Sequence, residues 1–266
     1  MPFKGFNVKY PEYTIETPQT GLSFNVRTLN VQEEERLKGS LNTPNSIAEH
    51  LNKCIYEAMT KKPAQIKTFE DFLSKTTLKD RDALLYGLYH ITYEEIRNYD
   101  VTCSSCRKEY PVTIQASDTF SFNPYPQKDI LNKRHDVPLP ITKGVIAVIK
   151  QPCLLDEVKA TKELGSRPGS SIETIAETMI IDSFKQDVQE SKEADIYSDR
   201  VDILDAYLTL PSRDKRAIHK AYDEMFGKFG IELKMKSHCI QCGNAEDIDI
   251  DLVNQFFRMA YSSTAD

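Results

Sequence analysis

The chain has 266 residues and a net charge of −6, with 40% hydrophobic and 28% charged residues. That composition excludes global disorder, and the negative charge argues against general nucleic-acid binding, which depends on phosphate neutralisation. No apolar run approaches the roughly 20 residues of a membrane span, and Met1-Pro2-Phe3-Lys4-Gly5-Phe6 lacks the apolar core of a signal peptide.

Residues 1–20 hold Phe3, Phe6, Tyr10 and Tyr13 among Pro2, Pro11 and Pro18. They read as an extended N-terminal arm, packed on its own domain or clasping a neighbour. A first unit follows over 21–115. Gly21 to Arg27 reads as a strand, and Glu33-Glu34-Glu35 favours a helix N-terminus through the dipole. Ser46 and Glu49 are spaced as a capping box for a helix over 47–59, striped by Leu51, Cys54, Ile55 and Ala58. Leu84, Leu88 and Ile91 give a second amphipathic helix over 81–92. The unit ends in Cys103-Ser104-Ser105-Cys106, between alternating Tyr99, Val101 and Tyr110, Val112, Ile114.

Residues 116–143, with Phe120, Phe122, Tyr125, Pro124, Pro126, Pro138 and Pro140, read as a stiff extended linker. The same sequence of signals then recurs over 144–250. Gly144 to Lys150 is a strand, Asp156-Glu157 an acidic helix start, and Ser170/Glu173 a capping box for a helix over 172–184. A segment from Asp214 matches the one from Asp80 and predicts a helix over 215–226. Cys239-Ile240-Gln241-Cys242 then lies between Ile231, Leu233, Met235 and Ile248, Ile250. The pattern predicts an α+β fold: an internal duplication of one helix-plus-β-hairpin unit, joined through a zinc-ribbon-like four-cysteine site. Residues 251–266 read as a C-terminal helix and tail, with Leu252, Val253, Phe256 and Phe257 along one side.

A C-x-x-C turn between strands aims two thiolates at one point, and two such knuckles complete a tetrahedral site. Cys103, Cys106, Cys239 and Cys242 are therefore the expected ligands of one structural Zn2+. Few cysteines in a metal pattern fit a reducing cytoplasm better than a disulfide framework. Cys54 sits in an apolar stripe as a buried thiol, and Cys153 has no nearby partner in sequence.

Catalytic signals are absent. None of His50, His90, His135, His219 and His238 lies in a metalloprotease spacing, and there is no phosphate-cradling glycine loop or nucleophile elbow. A four-thiolate site has no open position for water or substrate, so its task is folding. The expectation is a protein with no catalytic and no organic-cofactor residues.

The run from Gly21 to Glu35, the Asp80-Arg-Asp-Ala-Leu-Leu-Tyr-Gly-Leu88 segment and Val101-Thr-Cys103-Ser-Ser-Cys106 together resemble the baseplate hub and hub-assembly proteins of T4-like contractile-tailed bacteriophages. The resemblance covers mainly residues 20–115, with a fainter echo over 144–250. It implies a non-enzymatic structural or assembly protein that binds other phage tail and baseplate proteins. It also implies action in the host bacterial cytoplasm during assembly or retention in the virion tail baseplate; the lack of a long apolar run separately predicts no membrane partner, and the net charge argues against a nucleic-acid partner. The alternatives are a zinc-ribbon nucleic-acid or transcription-associated factor, and a dithiol redox protein. Charge weighs against the first. Against the second, both C-x-x-C pairs fall between strands, away from a helix N-terminus that would lower a thiol pKa.

Overall fold

The computed structural model describes residues 9–40, 47–92, 97–114, 121–127, 129–164, 171–186 and 195–249. They form eight α-helices and thirteen short strands, with only antiparallel pairing between strands. The expected C-terminal helix over 251–266 lies outside the described residues. No helix among the described residues is long and apolar enough to cross a membrane.

Strand β1 (Glu12–Glu16) pairs with β2 (Ser23–Arg27), which pairs on its other side with β3 (Met59–Lys61). Alternation puts Phe24 and Val26 on one face of β2, and both are wholly buried. Two helices, α1 (Val31–Ser40) and α2 (Ile47–Ala58), connect β2 to β3. The α2 stripe of Leu51, Ile55 and Ala58 faces the core, and the chain passes directly from Ala58 into β3.

Next, α3 (Phe69–Lys75) is opened by a capping box between Thr68 and Asp71. Helix α4 (Leu78–Thr92) buries Ala83, Leu84, Leu85 and Leu88. Gly87 lets β1 lie against α4: a Cβ there would sit 2.1 Å from Ile15 Cδ1. The expected arm over 1–20 is thus, at 12–16, a paired strand with Ile15 in the core. Its proline spacing concealed the Tyr13/Ile15 alternation. Strands β4 (Arg97–Thr102) and β5 (Glu109–Ile114) then form the first knuckle hairpin.

The expected linker over 116–143 carries β6 (Ser121–Asn123), a 3-10 turn (Ile130–Asn132) and β7 (Arg134–Pro138). Tyr125 N donates to Pro18 O at 2.7 Å, pinning this segment to the first half. Strand β7 pairs with β8 (Val145–Lys150), β8 with β9 (Ile181–Gln186), and β9 with β10 (Asp195–Tyr197). Between β8 and β9 run α5 (Leu154–Leu164) and α6 (Ile172–Met179). The helix expected over 172–184 stops at Met179, because Ile181, Ser183 and Phe184 are claimed by β9, where all three are buried. Helices α7 (Arg200–Thr209) and α8 (Ser212–Tyr222) follow, and α8 loosens into a π turn over Asp223–Gly227. Strand β11 (Gly230–Glu232) pairs back with β6, and β12 (Lys234–His238) with β13 (Ala245–Asp249) forms the second knuckle hairpin.

From β1 and from β7 the chain runs through a shared order of two strands, two helices, a returning strand, two helices and a knuckle hairpin, into which the second half inserts β10 after the returning strand and the π turn and β11 before the hairpin. Detailed contacts repeat as well. Gly21 and Gly144 both take positive φ, 64° and 77°, in the turn before the second strand. In each half a buried aspartate at the start of the fourth helix ties that turn down. Asp80 accepts from Gln19 N at 2.8 Å and Thr20 Oγ1 at 2.6 Å. Asp214 accepts from Ile141 N at 2.8 Å and from Thr142 N and Oγ1 at 2.9 and 2.7 Å. The last residue of the second strand pairs with an acid in the first turn of the next helix, Arg27 with Glu33 at 2.6 Å and Lys150 with Asp156 at 2.8 Å.

Each half has its own apolar core, one around Phe24, Ile55, Phe72 and Leu84, the other around Ile149, Phe184, Ile203 and Phe226. The halves are not independent. Leu154 and Val158 of α5 and Ile231 of β11 enter the first core. Leu154 N donates to Thr76 O at 3.0 Å, and Arg81 of α4 pairs with Glu157 of α5.

Candidate metal centre

The two knuckles are built by one backbone device. In the first, Cys103 N donates to Lys108 O at 3.0 Å, and Arg107 N to Cys103 O at 3.0 Å. In the second, Cys239 N donates to Asn244 O at 2.9 Å, and Gly243 N to Cys239 O at 2.8 Å. Each turn closes through a residue at positive φ, Arg107 at 60° and Gly243 at 72°. The tight turn brings both cysteines of a pair to the same side.

The hairpins meet at their tips. The Sγ atoms of Cys103, Cys106, Cys239 and Cys242 all lie within 4.8 Å of one another. Cys103 Sγ is 3.7 Å from Cys242 Sγ, and Cys106 Sγ is 3.7 Å from Cys239 Sγ. A tetrahedral zinc with Zn–S near 2.3 Å separates its sulfurs by about 3.8 Å. A disulfide would need about 2.05 Å, so these contacts are not covalent. The donor set is thus compatible with a four-thiolate metal site. The pairing is reciprocal: the first cysteine of each knuckle touches the second of the other, a local twofold relation.

Cys103 and Cys239 are buried, Cys106 is half-buried and Cys242 exposed. Tyr110 and Val112 pack with the two buried cysteines in a small cluster of their own, flanked by Val101, Met235 and Ile248. Burial pushes the Cys239 thiol up, but the N–H groups of Gln241 and Cys242 and the neighbouring Cys106 and Cys242 thiols bring it to about 7. The Asn244 N–H draws Cys242 down, yet burial and the three other thiols carry it up to about 11. Crowding four sulfurs makes thiolates compete for protons, the competition a divalent cation removes.

Sequence reasoning missed the polar clasp beside the sulfurs. Glu246 of β13 reaches the first hairpin, where Oε2 accepts from Ser104 N and Oε1 from Tyr110 OH, each at 3.0 Å. These hydrogen bonds draw the Glu246 carboxyl below its ordinary range, with Ser104 contributing most. Tyr110 and Glu246 each stand four residues after their knuckle's second cysteine, a coincidence visible in the sequence.

Among the described residues no histidine joins the group of four cysteines. His90 packs edge-on to Tyr13 at 5.2 Å, and His219 Nε2 lies 2.8 Å from Tyr207 OH. His238 is exposed at the end of β12. Cys54 is half-buried in α2, and burial pushes its thiol up to about 12. Cys153 donates to Asp156 Oδ2 at 3.3 Å.

A model of the family described as T4 bacteriophage base plate protein matches residues 10–258. No curated protein and no solved structure matches. The family match spans both halves and both knuckles, and the chain belongs to the T4 bacteriophage base plate protein family.

Proposed function

We propose that this base plate protein is a non-enzymatic structural or assembly component of the baseplate hub. It binds other tail proteins and is held together by one structural Zn2+ on Cys103, Cys106, Cys239 and Cys242. The observation that carries the metal assignment is the pair of reciprocal 3.7 Å sulfur contacts between two matching turns. Bound there, zinc would supply a cross-link between distant parts of the chain and no chemistry on a substrate.

The same reading takes the two halves as copies of one unit. The repeated aspartate clasps and helix-start ion pairs support it, because order of elements alone can recur by chance and such contacts rarely do. We draw the units from β1 and from β7, which brings residues 12–16 and 134–138 into them. Action in the host cytoplasm during assembly, followed by a place in the virion tail baseplate, follows from this role.

Elemental analysis of purified protein should find about one zinc per chain. Pull-down from infected cells should recover tail components. Recovery of RNA polymerase or nucleic acid without tail proteins would overturn the hub role, and a metal-free chain of undiminished stability would overturn the zinc.

A further inference from the structure

Both 3.7 Å sulfur contacts run from one half of the chain to the other, Cys103 to Cys242 and Cys106 to Cys239. Each also joins a more accessible thiol to a buried one. Cys242 is exposed against buried Cys103, and Cys106 is half-buried against buried Cys239. An oxidant arriving from solution therefore meets Cys242 and Cys106 first, and each has a buried thiol of the opposite hairpin beside it.

The hairpins do not rely on the sulfurs alone to stay together. Glu246 accepts from Ser104 N and Tyr110 OH across the junction, and Asn244 Nδ2 donates to Ser104 Oγ at 3.5 Å. Tyr110 and Val112 of the first hairpin pack with Met235 and Ile248 of the second, and Met235 also packs against the first core. Just before the second hairpin, β11 pairs with β6 and buries Ile231 in that same core. Contacts that involve no metal thus hold the two turns face to face.

A disulfide within one knuckle is the harder closure. It would cross-link a short, stiff turn whose shape is already set by its own backbone hydrogen bonds. A disulfide across the knuckles needs sulfurs at hairpin tips that already meet to close from 3.7 Å to about 2.05 Å. It also joins residues 139 or 133 positions apart, which restricts the unfolded chain far more than linking neighbours in one turn.

We propose that the four-cysteine cluster is a site of oxidative cross-linking: once the metal leaves in an oxidising medium, Cys103–Cys242 and Cys106–Cys239 disulfides form and keep the two halves stapled. This rests on the proposed metal site and on passage from a reducing cytoplasm to the virion, and it adds a second, covalent state to that site. The step is thiol–disulfide exchange with a low-molecular-mass disulfide such as oxidised glutathione. The Cys242 thiolate attacks one sulfur of the oxidant, whose S–S bond breaks and releases one glutathione thiolate. The Cys103 thiolate then attacks the Cys242 sulfur of the mixed disulfide and releases the second. Cys106 and Cys239 follow the same two steps. Each closure oxidises two protein thiols and reduces one oxidised glutathione to two thiols, which take up the two protons that the protein gives up.

The test uses the full-length protein, stripped of metal with a chelator, exposed to oxidised glutathione, alkylated and digested without reduction. Mass spectrometry should find the Cys103 peptide linked to the Cys242 peptide and the Cys106 peptide to the Cys239 peptide, with alkylation lost at all four cysteines. Cys242→Ser should leave Cys103 reduced and still form Cys106–Cys239. Disulfides within either knuckle, links between chains, glutathione adducts that never resolve, or four thiols left free overturn the proposal. So does loss of helical circular dichroism on chelation alone, because the hairpins must stay together without the metal. Zinc content and recovery of tail components are read on the untreated protein, so failure of the cross-link is distinct from failure of the metal or baseplate reading.

Discussion

The two knuckles reach the same geometry from different residues, and the differences separate what the turn requires from what each hairpin adds. Both need the cysteine spacing, the paired backbone hydrogen bonds and a left-handed residue at the turn's close. Beyond that they diverge. The residue after the first cysteine is Ser104 in one and the 69% exposed Ile240 in the other, and only Ser104 gives its N–H to the opposite hairpin. The corresponding residues Tyr110 and Glu246 face each other across the local twofold and bond directly. Symmetry of backbone therefore coexists with a one-sided polar clasp, in which the second hairpin holds the first.

The largest test of that equivalence removes a ligand from each side in turn. Cys103→Ser and Cys239→Ser should both abolish metal binding and lower the melting temperature by similar amounts. Zinc binding contributes on the order of 10 kcal/mol in small zinc peptides, and the effect here should be smaller because each half keeps its own apolar core. Helical circular dichroism should survive while cleavage between the halves accelerates. If one variant keeps its zinc, the knuckles are not equal partners in one site.

A smaller effect should come from the clasp. Glu246→Ala leaves the sulfurs in place but strips Ser104 N and Tyr110 OH of their acceptor. Groups that orient ligands from just outside a metal site commonly account for roughly 10- to 100-fold in affinity. Competition with a chelator should register a loss in that range, and Tyr110→Phe, which removes one of the two bonds, a smaller one. Equal metal affinity in Glu246→Ala would reduce the clasp to a surface contact.

The cysteines, their hairpins and the order of helices were legible because they follow from local spacing: C-x-x-C between alternating residues, and apolar residues at helical period. The strands outside the expected units were hidden for a physical reason. Residues 12–16 and 134–138 are short, flanked by proline, and bury only alternate side chains, such as Ile15 and Val137. Phe184 continued the helical stripe of α6 in the sequence, but the sheet claims it, a case of tertiary pairing overriding local period. Asp80 and Asp214 were visible as the heads of two matching segments. Their task was not, since the turns they hold lie 60 or more residues away.

The finest distinction between the knuckles is the backbone of one residue. Gly243 adopts its left-handed conformation without a Cβ penalty, and Arg107 adopts nearly the same one with a side chain. A Cβ on Gly243 would meet nothing within 4 Å, so Gly243→Ala tests backbone strain alone. It should cost about 1 kcal/mol, the usual penalty for an L-residue in this region. Arg107→Gly relieves the matching strain but gives the unfolded chain more freedom, so its gain should be no more than about 0.5 kcal/mol. Chemical denaturation of the metal-loaded protein resolves both signs when the two variants are measured with the parent. Opposite signs, with the alanine effect the larger, are the expected pattern. If Gly243→Ala were neutral and Arg107→Gly destabilising, the exposed Arg107 side chain would be contributing contacts that outweigh its strain, and the two turns would share a shape without sharing what stabilises it.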